Sequence, residues 1–421
     1  MERRGQRLRG LHPVTTTADV VIIGAGIIGA AIAHECARHG IGRVVVVDAA
    51  PGPGEGSTGA SSSICRTRYS DPRVVQLAVD GVAAYRHWSD YLDSDHLAAR
   101  FVETGAVWIA DRSMDDVGGE VDTLQAAGAD ASALSADDLD HRFPQVSPCV
   151  TTWADDAADH DCRSAEAYLF EHRAGYVDPS AALTDLLTVS RRMEVDVRFG
   201  TRVIDVMRSA AGVTGVVLAS GDRIAASVVV NAAGPWCNEI NRLARLELRW
   251  TFTPTRIQTL HHPWPADQLP ITIDVSTGLY ARPDRNSDTI WAGSVREEDE
   301  RETVDPDDYL RTLNQAFRDR LLVGLQHRFP GIRATGRVPG IAGLYTINRQ
   351  DVHPVVGPSG VDGFWLANGF SGHGFKLAPA IGSMVSQGLG GSRMAHDTEV
   401  GLDLLSVDRA PIGVDSKNVL A

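Results

Sequence analysis

Asp19-Val20-Val21-Ile22-Ile23-Gly24-Ala25-Gly26-Ile27-Ile28-Gly29 sets a short β-branched run directly before three glycines at G-x-G-x-x-G spacing. The run reads as a buried strand and the glycines as a tight turn opening a helix. Ala30, Ala31, Ala33 and Ala37 carry that helix toward His39, and Val44-Val45-Val46-Val47 reads as a second parallel strand ending at Asp48. A complete βαβ unit is predicted, and each part suits a dinucleotide. Glycine lets the backbone approach a pyrophosphate, the helix N-terminus offers unpaired N–H groups, and Asp48 accepts from a ribose hydroxyl. A carboxylate at a strand end is also a common turn residue, so Asp48 carries a second reading.

A second glycine bend lies far downstream at Asn368-Gly369-Phe370-Ser371-Gly372-His373-Gly374-Phe375-Lys376-Leu377-Ala378-Pro379. Gly363 to Ala367 reads as a strand before it, and Phe375 to Gln387 as a helix after it, with Pro379 in its first turns. Two such bends suggest one extended dinucleotide held at both ends. Between them, Pro51 to Ser63 is loop chemistry rich in Gly, Ser and Pro, leading into Ile64-Cys65-Arg66-Thr67-Arg68-Tyr69. Val74 to Leu92 has near-helical apolar spacing, Thr104 to Ile109 reads as a strand, and the acidic, Ala-rich stretch Asp111 to Asp140 as short surface helices. Ser180 to Arg192 reads as a helix begun by Pro179, with strands following at Val195 to Phe199 and Val203 to Val206. Ile224 to Asn231 reads as one strand ending in Ala232-Ala233-Gly234-Pro235-Trp236, a small-residue turn where backbone can pass close to a cofactor.

A chain of 421 residues with 43% hydrophobic content can bury a large core and suggests two or three domains. The formal charge of −14 is spread rather than clustered, which argues against a nucleic-acid partner, since phosphate binding needs grouped Lys and Arg. Cys36, Cys65, Cys149, Cys162 and Cys237 show no C-x-x-C spacing, so neither zinc site nor disulfide framework is indicated, and reduced thiols in a cytoplasmic protein are expected. His160-Asp161-Cys162 has no second ligand cluster at suitable spacing and is read as loop, with no metal predicted. Residues 1–17 contain four arginines but no apolar run for a signal peptide or membrane span, and read as a mobile basic tail.

The βαβ unit, the Ala-Ala-Gly-x-Trp turn and the Gly-Phe-Ser-Gly-His-Gly-Phe-Lys bend, in that order, resemble the D-amino-acid-oxidase superfamily of FAD enzymes, in its sarcosine oxidase and dimethylglycine dehydrogenase branch. The resemblance runs from about Asp19 to Gly390. It implies a mixed α/β fold: a Rossmann-like FAD domain, discontinuous over 18–97, 168–249 and 340–400, interleaved with an antiparallel-sheet substrate domain at 98–167 and 250–339, and a C-terminal tail at 401–421. It implies FAD contacts at Gly24, Ala25, Gly26, Ile28, Gly29, Asp48, Ala49, Ser57, Ser61, Ser62, Ser63, Val203, Ala233, Gly234, Trp236, Gly343, Gly372, His373, Gly374, Phe375 and Lys376. The helix beginning after Gly372 would aim its positive end at the charge that develops on a reduced flavin.

By the same resemblance, Arg66 and Lys376 clamp a substrate carboxylate, the first as a planar fork and the second as a point charge. A pyrophosphate contact or solvated side chain for Arg66, and a helix-surface position for Lys376, are the competing readings. Tyr280 and Tyr345 match pocket aromatics, with core packing as the alternative. His373 is a catalytic candidate, with packing beside the flavin as its plainer role. Gln258, His261 and His262 lie on an expected strand of the substrate domain, where they contribute selectivity or alternate on its surface. The implied reaction is oxidation of the C–N bond of an amino acid or N-alkyl amino acid. Hydride passes from the α-carbon to flavin N5, and the resulting imine hydrolyses.

Two alternatives stand beside it: a 2-hydroxy acid oxidoreductase with His373 or His262 as base, and a flavin-binding protein without turnover. Departures from the branch refine the expectation. Gly343 and Gly56-Ser57-Thr58-Gly59-Ala60 stand where relatives carry flavin-linked cysteine or histidine, so FAD is expected to be noncovalent. Ser63 stands where a second arginine often lies over the flavin. Trp291 replaces the lysine that activates dioxygen, so the acceptor is O2 or, instead, a quinone or carrier protein.

Overall fold

The computed structural model describes residues 14–151, 161–264, 269–333, 338–414 and 418–420. Its centre is a six-stranded sheet in the spatial order Asp196–Arg198, Val44–Val47, Val20–Ile23, Val228–Asn231, Phe364–Asn368, Val355–Pro358, parallel except at the last pair. Val20–Ile23 and Val44–Val47 are apolar throughout because both faces of the sheet are covered. Val20, Ile22, Val44 and Val46 pack under helices Ile27–Arg38 and Gly374–Gly388. Their neighbours Val21, Ile23, Val45 and Val47 meet Val206, Val216 and Ile224 of a four-stranded sheet on the other side.

That second sheet corrects two expectations. Thr15–Thr17, assigned to a mobile tail, pairs in parallel with Arg223–Ala225, while residues 1–13 lie outside the described residues. The single strand expected over Ile224 to Asn231 is two: Arg223–Ala225 pairs antiparallel with Gly215–Val217, and Val228–Asn231 crosses into the parallel sheet. One apolar run thus serves two layers, so hydrophobic continuity hides the break. Residues 401–414 are packed rather than free: Leu404 and Leu405 are buried, and Arg409 pairs with Asp351.

The other large element is an eight-stranded sheet, ordered Gly340–Asn348, Phe252–Pro263, Thr289–Ser294, Leu279–Asp284, Ile271–Asp274, Ala106–Ile109, Tyr168–Glu171, Ala131–Leu134. Its core residues, among them Phe170, Leu260, Leu279 and Ile290, pack with Phe317, Leu321 and Leu325 of helix Gln315–Arg328. Gly340–Asn348, grouped by sequence with the cofactor half, pairs along Phe252–Leu260 and belongs to this sheet.

Helix Gly374–Gly388 is held unusually close to its neighbours. A Cβ at Gly382 would lie 2.7 Å from the Ala31 carbonyl oxygen, and one at Gly81 would lie 2.2 Å from that of Lys376. Pro379 sits inside this helix and cannot donate to the Phe375 carbonyl one turn back. Tyr85 replaces the missing donor: its buried hydroxyl donates to the Phe375 oxygen at 2.9 Å, and its ring stacks on Phe375. Tyr85→Phe is expected to leave that carbonyl unpaired and to cost about 1–3 kcal/mol, checked by urea unfolding. No helix among the described residues is long and apolar enough to cross a membrane.

Candidate functional site

Strands Val20–Ile23, Val44–Val47 and Val228–Asn231 end on the same side of the sheet, and a cleft of about 430 Å³ opens beyond their carboxyl ends. This is where open α/β sheets bind ligands. Gly24 turns there with φ +109°, and a Cβ on it would come 2.4 Å from the Ala232 carbonyl oxygen. Gly29 lets the helix press against the turn, since a Cβ would fall 1.9 Å from the Gly24 oxygen. Asp48 fastens the loop by accepting from Ala25 N at 2.7 Å and from Ala50 N at 2.8 Å. Two acceptors of its roughly four lone-pair sites are thereby used, which leaves capacity for ribose hydroxyls. Gly26 supplies no side-chain cap to the helix, and Thr58 Oγ1 accepts from Ile27 N.

A dinucleotide fits this lining. Glycine backbone forms the cradle, a helix start faces in, and the buried Ser57 hydroxyl on the wall has no partner among the described residues. Seventeen of the expected cofactor residues line the cleft; Gly29, Ser63, His373 and Lys376 do not. Gly29 acts through the turn contact above. Ser63, at φ +50°, turns its hydroxyl onto the Val177 carbonyl, away from the cleft. Gly343 lies on the wall opposite Ala60, where any Cβ would come within 2.5 Å of the Ala60 methyl, so this position has no room for a side chain.

Tyr280 and Tyr345 also line the cleft. Tyr280 fits because its cross-strand partner is Gly293, where a Cβ would fall 2.4 Å from the ring. Strand Phe252–Pro263 presents Ile257 and Thr259 to the cleft, and period-two alternation sends Gln258 elsewhere. Gln258 accepts from Asn314 N, His261 stacks on Trp291 at 3.9 Å, and His262 meets the Arg333 carbonyl. The structure gives these three packing roles. No cysteine or histidine is among the described residues lining the cleft.

Behind the Gly372 turn lies a buried cluster of charge. Arg66, 3% exposed, lies over the rings of Tyr69 and Trp108 at 4.7 and 5.2 Å. Its guanidinium donates to the carbonyls of Arg68 and Val419. Lys376, 4% exposed, has no hydrogen-bond or ion-pair partner among the described residues, and burial, reinforced by Arg66, lowers its pKa to about 7. The anion close by is Glu171, which sequence reasoning did not single out. It accepts from Thr67 N, Thr67 Oγ1 and Arg68 N on one oxygen and from Trp108 Nε1 on the other, so four donors already share its charge. Two cations against one carboxylate leave the cluster one negative charge short when Lys376 is protonated.

His373 precedes helix Gly374–Gly388 and is fully buried, with its ring edge-on to Tyr69 at 5.2 Å and near His353 at 5.7 Å. Burial, then Lys376, His353 and Arg66, hold its pKa well below the usual histidine range, so the ring is neutral. It faces this packed cluster rather than the cleft. Elsewhere, Cys162, read as loop, meets Cys149 and His327 with ligand atoms within 4.8 Å of one another; His160 lies outside the described residues.

Comparison with known proteins agrees with this geometry. The model of the DAO family, described as FAD dependent oxidoreductase, matches residues 19–387. FAD-dependent oxidoreductase domain-containing protein 1 of Bos taurus is 26% identical over 418 residues, covering 89% of this chain and 82% of that protein. Glycine oxidase of Pseudomonas aeruginosa is 26% identical, covering 86% and 92%. Monomeric sarcosine oxidase of Streptomyces avermitilis is 25% identical, covering 89% and 94%. Among solved structures, L-proline dehydrogenase from P. horikoshii superposes with a TM-score of 0.78 at 21% identity, covering 94% of this chain and 98% of that one. At that identity the likeness speaks for the fold.

Proposed function

This chain belongs to the DAO family of FAD-dependent oxidoreductases, and we propose that it oxidises the C–N bond of an amino acid or N-alkyl amino acid bound through its carboxylate. The observation that carries the reading is Lys376, without a hydrogen-bond or ion-pair partner among the described residues, beside buried Arg66, with the adjacent Glu171 already holding four other donors. A buried ammonium without a counter-charge is costly, and a substrate carboxylate is the group that removes the cost. Bound FAD supplies the two-electron acceptor for the α-carbon hydride. Arg66 fixes the plane of the carboxylate and Lys376 its charge, while Tyr280 and Tyr345 wall the space toward the cleft. The start of helix Gly374–Gly388 adds a positive partial charge on the same side.

The substrates in the names of glycine oxidase, sarcosine oxidase and L-proline dehydrogenase are all small carboxylated amines, which supports this class. A 2-hydroxy acid would need a base at its hydroxyl. His262 meets the Arg333 carbonyl, and the His373 ring is packed against Tyr69 and His353, so the amine reading is preferred. Noncovalent FAD is supported by the absence of cysteine and histidine from the described lining residues. No lysine is among the described residues lining the cleft, and Trp291 stacks on His261 outside it, which favours an acceptor other than O2.

The test is direct. Acid precipitation of the yellow protein is expected to release all the flavin into the supernatant. One class among secondary, cyclic and D-amino acids should bleach it anaerobically, and air should restore the colour slowly. Flavin retained in the pellet refutes noncovalent binding, and failure of every amino acid to bleach the flavin refutes the substrate class.

A further inference from the structure

The substrate reading above leaves the amine end without a partner, and the segment Asn418–Leu420 points to one. Val419 reaches both sides of the charged cluster with a single residue's main chain. Its N–H donates to Glu300 Oε1 at 3.1 Å, and its carbonyl accepts from Arg66 Nη2 at 2.5 Å. Nitrogen, one α-carbon and a carbonyl carbon are the connectivity of an α-amino acid. The Val419 side chain packs against the cleft wall: a Cβ added to Gly372 would fall 2.9 Å from its Cγ2 and 2.6 Å from the Tyr345 ring. Asn418 Nδ2 donates to the Val295 carbonyl at 2.6 Å, Leu420 N donates to Asn418 Oδ1 at 2.8 Å, and Leu420 is buried.

Resting on the carboxylate reading, we infer that Glu300 and Arg66 are a matched pair reading the amine and carboxyl ends of an α-amino acid, and that Val419 competes for that pair as a built-in mimic. Glu300 is suited to the part. It closes the short helix Glu297–Glu300, is 4% exposed, and keeps its second carboxyl oxygen buried without a hydrogen-bond partner among the described residues. An amine nitrogen carries more than the single N–H that Val419 offers, so it can use both oxygens. Burial pushes the Glu300 carboxyl up to about 8, with Arg349 opposing and Asp299 and Glu297 reinforcing the rise. Selection of a nitrogen over a carbon at this place follows from the cost of leaving a buried acceptor unpaired.

Calorimetric titration of FAD-loaded protein with 2-aminoisobutyrate and pivalate separates the claims. The two acids differ only by NH2 against CH3, and neither has an α-hydrogen to lose. A chain ending at Lys417 is expected to bind both acids about tenfold more tightly than the full chain, and to prefer 2-aminoisobutyrate by about tenfold. Adding Glu300→Met, which removes both oxygens at similar length, should erase the preference and leave pivalate within about twofold. Val419→Pro in the full chain, which deletes the N–H donated to Glu300, should reproduce part of the gain and guards against misfolding of the shortened form. Unchanged affinity in both Val419→Pro and the shortened chain overturns the mimic. A preference that survives Glu300→Met overturns the pairing. If neither acid binds any form, the carboxylate reading itself fails and this inference falls with it.

Discussion

Gly24→Ala is expected to weaken FAD binding by about 100-fold or more while the fold survives. Gly24 lies at φ +109°, a region that side chains rarely adopt, and strain of this kind costs about 1–3 kcal/mol before any collision. The collision comes in addition, because the new methyl would meet the Ala232 carbonyl at 2.4 Å. Neither partner can yield cheaply. Gly24 N donates to Val47 O and Ala232 N to Ile23 O, so the turn and its neighbour are both stitched into the parallel ladder. Relief must move the turn away from Asp48 and from the start of the helix, which are the groups expected to meet the dinucleotide. Flavin absorbance per protein after gel filtration, with far-UV circular dichroism to confirm folding, measures the effect. Full flavin content in a folded variant would refute the cradle.

The parts of this fold legible in the sequence are those where a local rule and the tertiary structure agree. Val20–Ile23, the glycine turn, helix Ile27–Arg38 and Val44–Val47 carry their own periodicity and breakers, and the structure places them as read. Pro179 begins its helix with Asp178 accepting from Ala181 N, again a local signal. What was not legible depends on partners distant in sequence. Arg223–Ala225 and Val228–Asn231 look continuous because both are apolar, and only their different neighbours separate them. Strand Gly340–Asn348, placed by the resemblance in the cofactor half, pairs along Phe252–Leu260, a partner distant in sequence. In the site, Lys376 and Arg66 were singled out by resemblance, whereas Glu171 and Glu300 carry no motif. Their importance comes from burial and from what they face: four donors in one case, the Val419 main chain in the other. Buried acids at unremarkable positions in a chain with 54 acidic residues cannot be ranked by sequence alone.

Lys376→Met is expected to lower carboxylate affinity by tenfold or more near pH 6, and to do so while raising stability, a combination that a merely structural lysine would not give. Methionine keeps most of the length and apolar contact of the lysine stem but removes the charge. The Lys376 ammonium is held down to about 7 by burial first and by Arg66 second, with Cys65 and Glu171 opposing. Below pH 7 the folded protein carries the charge and attracts a carboxylate. Above it, binding must take up a proton, so affinity should fall by about tenfold for each pH unit. His373 stays neutral across this window and does not contribute. In Lys376→Met the profile through pH 7 should be flat, the clearest signature that this one group carries the charge there, since the Glu300 carboxyl, pushed up to about 8 by burial, titrates only above it. Stability runs the other way. Between the folded value near 7 and the ordinary lysine value, the unfolded chain binds a proton that the native protein does not, so native stability rises with pH through that interval and is penalised at neutrality. Removing the ammonium relieves the penalty, and Tm at pH 7 should rise by about 2 °C or more. A variant that binds pivalate as tightly as the parent at pH 6 would assign the clamp to Arg66 alone, and one whose affinity still declines through pH 7 would assign the titrating charge to a group other than Lys376.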